Sequence, residues 1–381
     1  MTNAIAYVGV NDHDIDLFEG QYVVPHGVSY NAYVILDDKI AVIDTVDKRK
    51  SDEYLANLDK VLQGRTPDYL VVSHVEPDHA SSVRAFMDKY PSATIVGNAK
   101  THQMLKLYFD LSDVEVMTVK EGDTLPLGAH TLHFVLAPMV HWPEVMMAYE
   151  STEKVLFSAD GFGKFGALDV DEPWDDEARR YYLNIVGKYG PQVQAVLKKA
   201  AALSIETICP LHGPILTDLI PHVLEKYNLW SSYTPENDGV LVAYASLHGN
   251  TAKAAHVLAE QLKAKGISCA LCDLAREDSA QALALAFQYG KVVLAASSYN
   301  AGMMPAMEDF LHHLKGKNYQ KRTVALMENA SWAPSAAKTM KEILGQMKEI
   351  TIIEPTVTIR GAVKPDDEAA IAALADVLSK E

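Results

Sequence analysis

The chain has 381 residues, 49% of them hydrophobic and 22% charged, with a formal net charge of −16. That length exceeds one ordinary core and predicts two domains, and the composition excludes an intrinsically disordered chain. The acidic balance argues against a nucleic-acid or anionic-membrane surface, because phosphates select Lys and Arg.

Met1 to Val10 lacks the basic stretch and apolar run of a leader, and no apolar run reaches membrane-spanning length. The only cysteines are Cys209, Cys269 and Cys272, too few for a disulfide framework, so the expected location is a reducing cytoplasm. Cys269 and Cys272 fall on a predicted strand, where positions i and i+3 face opposite ways. They read as small apolar residues, not as a metal or redox pair.

The N-terminal half opens with short strands. Asn31 to Leu36 and Ile40 to Asp44 flank Asp37-Asp38-Lys39, a hairpin signal. A buried-type strand follows at Tyr69 to Ser73, then a helix at Ser81 to Lys89. Thr94 to Gly97 is a strand, Val114 to Ala137 holds several around a turn at Gly122-Asp123, and Val155 to Ala159 is another. Asp175 to Lys188 and Pro191 to Leu203 are expected to be helical, and Thr207 to Cys209 begins a strand. Grouped strands with helices around them predict two mixed sheets covered by helices.

A polar linker, Tyr233 to Gly239, separates expected domains at 1–233 and 238–381. Behind it strands and helices alternate. Strands are expected at Val240 to Ala245, Ser268 to Asp273, Lys291 to Ala296, Arg322 to Met327 and Glu349 to Val357. Helices are expected near Ala252 to Lys265, Ser279 to Tyr289, Ala306 to Leu314, Ser335 to Met347 and Asp366 to Leu378. This is the pattern of a doubly wound, parallel, five-stranded sheet.

The sharpest local signal in the first half is His74-Val75-Glu76-Pro77-Asp78-His79, just past a predicted strand. Alternate residues of an extended segment share a side, so His74, Glu76 and Asp78 can converge, and a bend at Pro77 can bring His79 round. A lone loop histidine is ordinarily a surface residue; four ligand-type side chains in six positions point to a first-row metal. His141, Asp160 and His212 each follow a later predicted strand. Singly they are turn or capping residues. Together with the motif they supply four imidazoles and three carboxylates, enough for two metals and a bridging carboxylate. His130 and His133 read as surface or packing residues, and His26 as a candidate neighbour of the metal ligands.

In the second half, Ser246-Leu247-His248-Gly249-Asn250-Thr251 joins the first strand to a helix. Hydroxyls, a glycine and free amides at a helix start can seat one phosphate, or can simply cap the helix. A Gly-x-Gly-x-x-Gly fingerprint and a P-loop lysine are both missing, which leaves a flavin mononucleotide pattern. Ser297-Ser298-Tyr299-Asn300-Ala301-Gly302 and Glu328-Asn329-Ala330-Ser331-Trp332-Ala333 follow the third and fourth strands, where such folds bind ligands. Tyr299 and Trp332 are placed to flank a flavin ring.

The order His-x-Glu-x-Asp-His, then His, Asp and His, resembles the metallo-β-lactamase superfamily, with Glu76 where its zinc hydrolases usually carry a second histidine. A carboxylate there shifts preference from zinc towards iron. With His141-Trp142-Pro143-Glu144 and the flavodoxin-like stretch from Asp238 to Leu378, the chain resembles the flavodiiron family. The resemblance implies an αββα sandwich followed by a flavodoxin-like domain, FMN, and two irons. His74, Glu76 and His141 would hold one iron; Asp78, His79 and His212 the other; Asp160 would bridge. It also implies reduction of dioxygen or nitric oxide, rubredoxin or a reduced deazaflavin coenzyme as donor, a head-to-tail homodimer or a dimer of dimers, and the minimal two-domain form. The fourth-strand loop departs from the family in lacking glycines around Trp332. Two other readings stay open: a zinc hydrolase fused to a flavodoxin domain, and a non-enzymatic electron carrier.

Overall fold

The computed structural model describes residues 4–380, which divide into two compact units. One runs through Tyr182 and adds Tyr189–Asn228; the other takes Leu183–Lys188 and everything from Leu229.

In the first unit the expected hairpin is present, with Tyr33–Ile35 antiparallel to Ala41–Ile43. It continues into a six-stranded sheet through parallel strands Tyr69–Val71, Thr94–Gly97 and Val116–Thr118, with Ile5–Tyr7 on the far edge. A second sheet of five strands runs Thr124–Pro126, Thr131–Leu136, Met146–Glu150, Val155–Phe157 and Thr207–Cys209. The facing sides supply one core, in which Ile43, Val71 and Val96 from the first sheet meet Phe134, Met146 and Phe157 from the second. The central strands are short and apolar, as strands buried on both faces are, while the edge strands Val116–Thr118 and Thr124–Pro126 are largely exposed. Burying each such side chain contributes about 1.5–3 kcal/mol, so the sandwich forms a firm base for the loops at its edge.

The second unit has a parallel sheet in the order Cys269–Asp273, Asn237–Ala245, Tyr289–Tyr299, Arg322–Asn329, Ile350–Ile359. Helices Asn250–Ala264 and Pro365–Leu378 cover one face, where Leu258 and Leu262 pack with Ile371 and Leu374. Strand order reverses between the first and third strands in sequence, which opens a crevice at their carboxyl ends. A two-residue strand, Gly302–Met303, pairs antiparallel with the end of Tyr289–Tyr299.

Several local expectations are corrected. Asp78 lies not on an extended segment but in a short helix, Pro77–Ala80, which Pro77 starts because its missing N–H is not needed there, and the turn at Pro77 brings His79 round as expected. The expected helix Asp175 to Lys188 is α-helical only over Trp174–Tyr181 and then widens into a π-turn at Tyr182–Val186. Asn237 to Gly239, read as linker, already belongs to a strand, since Asn237 pairs with Tyr289 ahead of a bulge. Helices Ser51–Leu62 and Ala99–Tyr108 and the strand Met146–Glu150 add to the expected elements.

Candidate functional site

The strand Tyr69–Val71 delivers His74 to the edge of the first unit's sandwich, and the loops after Leu136, Phe157 and Cys209 deliver His141, Asp160 and His212. Two groups of side chains result. His74, Glu76, His141 and Asp160 form one, and Asp78, His79 and His212 the other, each with its nitrogen and oxygen atoms within 4.8 Å of one another. Asp160 faces both. Its Oδ2 lies 3.0 Å from His141 Nε2 and 3.6 Å from His74 Nε2, and its Oδ1 lies 3.2 Å from His79 Nε2 and 3.8 Å from His212 Nε2. All seven expected residues of the first half therefore meet in one place.

The second partners of the imidazoles decide what they can hold. Glu144 Oε1 accepts from the Val75 amide at 2.9 Å and lies 2.8 Å from His74 Nδ1. A carboxylate there makes Nδ1 the donor, so His74 Nε2 turns a lone pair towards Glu76 Oε2, 3.1 Å away. His212 repeats the arrangement: Nδ1 donates to the Ser29 carbonyl at 2.7 Å, leaving Nε2 bare opposite His79 Nε2 at 3.0 Å. Lone pairs facing lone pairs in a dry site repel unless a cation or a proton sits between them. Both oxygens of Asp78 are buried without a hydrogen bond, although His79 and His212 nitrogens lie 3.3 Å from Oδ2. More donor atoms converge here than can pair with one another, and the Asp78 oxygens and Asp160 Oδ1 are left over, as in a set of atoms directed at a common metal.

Proton affinities carry the same message. Burial works against charge on His141, but hydrogen bonds to Asp160 and Glu76 outweigh it and raise its pKa to about 9. Burial likewise opposes charge on His74, yet Asp160 and the bond to Glu144 lift it well above the ordinary imidazole value. Burial would raise Asp160, but the charge of His74 and hydrogen bonds from His141 and His79 hold it well below the carboxylate range. Protons and a metal cation would therefore compete for the same atoms.

Three contributors escaped the sequence reading. Glu144 was visible only as part of a signature, not as the residue orienting His74. Tyr181, fully buried, has its ring centroid 5.5 Å from that of His212, and its hydroxyl has no hydrogen-bond partner. Burial and then the Asp160 charge push that phenol well above its usual pKa, so it stays protonated. Glu19, exposed on a hairpin turn, has its carboxyl pushed up to about 7 by desolvation and then by the Glu76 charge. No local pattern marks either Tyr181 or Glu19. His26 pairs with Glu172 at 2.7 Å and belongs to neither cluster, and His130 is bound by Asp37 and Glu153.

In the second unit a cleft of ≈ 480 Å³ opens at the carboxyl ends of the strands. Leu247, His248, Asn250 and Thr251 line it, as do Ser298, Tyr299, Asn300, Ala301, Ser331 and Trp332. Ser246 and Gly249 act behind the lining, where the Ser246 hydroxyl accepts from the Gly249 amide at 3.1 Å. Gly302 borders an adjoining hollow instead. Ser297, Asn329, Ser335 and Gly361 also reach the cleft. Gly249 has φ +87°, a conformation that costs a side-chain-bearing residue, and begins helix Asn250–Ala264 with no side-chain cap. The first amides of that helix lack intrahelical partners and point at the cleft end where a phosphate would bind. Those of helix Ala336–Leu344 are taken, since Ser298 Oγ accepts from Ser335 and Ala336 N–H and Glu328 from Ala337 N–H. Trp332 is 85% exposed at the rim, free to lie against a planar ring.

Comparison with known proteins agrees with this pairing of sites. A profile described as "ODP family beta lactamase" matches residues 28–213, and one for a flavodoxin domain matches 241–359. A nitric oxide reductase of Moorella thermoacetica is 31% identical, the alignment covering 96% of this chain and 94% of that protein. A rubredoxin-oxygen oxidoreductase of Megalodesulfovibrio gigas is 30% identical over 89% of this chain and 87% of the other. The chain belongs to the flavodiiron family. The crystal structure of the flavodiiron protein from Giardia intestinalis superposes with a TM-score of 0.92 at 25% identity, covering 100% of this chain and 95% of that one. The first unit is thus a metallo-β-lactamase-like sandwich and the second a flavodoxin-like domain. As a flavodiiron protein the chain is an oxidoreductase. Among the described residues no helix is long and apolar enough to cross a membrane.

Proposed function

We propose that this flavodiiron protein reduces dioxygen to water, nitric oxide to nitrous oxide, or both, at a pair of irons supplied with electrons by FMN. The observation that carries the reading is Asp160, which offers one carboxylate oxygen to each cluster. His74, Glu76 and His141 would hold one iron, Asp78, His79 and His212 the other. Three carboxylates among seven donors suit iron better than zinc. Bound iron would supply two adjacent redox centres for the gas, and bound FMN would hand on electrons one at a time.

The chain's own residues do the rest. Glu144 and Ser29 fix the tautomers of His74 and His212, so each presents a bare nitrogen. Burial of His74, His79, His141, Asp160 and His212 strengthens the fixed charges there, while a cavity lined by Phe18, Glu76 and Asp78 leads up to the clusters. Tyr181 keeps a proton on its hydroxyl within the field of Asp160 and Asp78 and would offer that O–H to an oxygen or nitrogen bound beside His212. In the cleft, the start of helix Asn250–Ala264 would seat the FMN phosphate, while Tyr299 and Trp332 would flank the ring.

A separate rubredoxin is the proposed donor, in the cytoplasm, with a head-to-tail homodimer as the working assembly. The test is anaerobic purification, metal analysis, reduction through rubredoxin or a reduced deazaflavin, and side-by-side consumption of both gases. Dioxygen loss without peroxide identifies an oxidase, and nitrous oxide formation a nitric oxide reductase. Zinc in place of iron, with neither gas consumed, would defeat the proposal and favour a hydrolase.

A further inference from the structure

Lys164 lies outside both clusters, yet it is only 5% exposed. Burying an ammonium is costly unless it is paired. Its Nζ is 2.5 Å from Glu172 Oε1, and Glu172 Oε2 takes His26 Nδ1 at 2.7 Å. The charge is thereby held in place from the protein surface inwards.

The stem of Lys164 meets the backbone beside a metal-cluster residue. A methyl built on Gly213 would come 2.7 Å from Lys164 Cγ and 3.2 Å from its amide nitrogen. Gly213, whose φ of +77° itself favours glycine, leaves the space in which Lys164 presses against it. One residue earlier in the lysine's own segment, a methyl on Gly163 would come 3.1 Å from the His212 carbonyl oxygen and 3.2 Å from that of Asp160. The segment that carries Asp160 and the turn that carries His212 are thus packed together at Lys164. On the other side, Gly213 N donates to Ser29 Oγ at 2.8 Å, and Asn31 Nδ2 donates to the Gly213 carbonyl at 2.8 Å. His212 is clamped between these polar bonds and the lysine stem. The His74 cluster is held by Glu144 instead.

We propose that Lys164, fixed by Glu172, is a positioning residue for the His212 half of the metal pair. The inference rests on the di-iron reading above. Its test uses the full chain with FMN bound, reconstituted anaerobically with ferrous 57Fe and read by metal content and Mössbauer spectroscopy. Wild type must first hold a coupled pair; if it does not, the di-iron reading fails, whatever the variants do. Given that pair, Lys164→Met should retain roughly half the iron, as expected when an outer partner of a ligand is lost. The remaining iron should show the signature of a single uncoupled ion, with FMN content unchanged, and Lys164→Arg should restore the pair. A folded Lys164→Met that keeps the wild-type pair, or that loses both irons, overturns the proposal. If Lys164→Met does not fold, Glu172→Gln is judged by the same criteria, because it keeps the lysine and an acceptor but removes the opposing charge.

Discussion

At the scale of single residues, Asp160 and Glu144 do different work with the same functional group. Asp160 turns one oxygen to each cluster, so Asp160→Ala should lose iron while FMN stays bound. Metal analysis beside the flavin absorbance checks this, and retention of both irons would remove the bridging role. Glu144 touches His74 from behind. Glu144→Gln keeps an acceptor but no charge, and should weaken iron binding about 10–100-fold, measured by competition with a chelator. Tyr181→Phe removes only a hydroxyl that bonds to nothing else in the structure. It should leave stability and iron content unchanged and slow turnover about 10²-fold or more if the phenol is the proton donor. An unchanged kcat would take Tyr181 out of the chemistry.

At the scale of elements, the loop from Ser246 to Thr251 depends on one backbone conformation. Gly249→Val has ample room, since no atom lies within 4 Å of the added Cβ, but it must adopt φ +87°. Strain of about 1–3 kcal/mol should lower FMN affinity by roughly tenfold or more and leave iron binding alone; equal affinity by flavin fluorescence titration would show that the turn does not set the phosphate seat. The strands and helices of the second unit were legible because strict alternation leaves few other arrangements. Those of the first unit were harder to read. Ser51–Leu62 buries only Tyr54, Leu58 and Leu62, a stripe too narrow to stand out after the charged run Asp47 to Lys50. Ala99–Tyr108 carried a readable start in Asn98, whose side chain accepts from Lys100 and Thr101 N–H. Met146–Glu150 is buried throughout and so lacks an alternating pattern. The seven side chains that meet in the first unit were legible because chemistry restricts which residue types can serve as metal ligands. Tyr181 was not, because a tyrosine in a helix looks the same whether it faces core or site.

At the scale of the whole molecule, the two units should respond separately to stripping and loading. In the metal-free chain His141 has its folded pKa at about 9 against an ordinary 6.5. The stability it contributes is complete below about 6.5 and is lost as pH rises through 9. Glu76 and Asp160 are depressed, so their contribution is present above the ordinary carboxylate range and fades only as pH falls below it. Metal-free protein should therefore melt at lower temperature at pH 9 than at pH 6.5, with the loss confined to the first unit. Iron-loaded protein should not show that decline, because the metal has displaced the protons. Calorimetry of both forms distinguishes the cases; parallel curves would mean that the imidazoles are not the proton store.

Two helices begin at the rim of the second unit's cleft, and of these two only Asn250–Ala264 has amides to spare. Ser298 and Glu328 have already spoken for the start of Ala336–Leu344. A ligand with one terminal phosphate can therefore enter in a single orientation, phosphate first against Gly249 and Asn250. Riboflavin, without that group, would forfeit the only directional anchor and should be excluded in competition, while a dinucleotide would carry its second half out past Trp332 with nothing to hold it. A cleft built this way would sort flavins by their tails before the ring is tested at all.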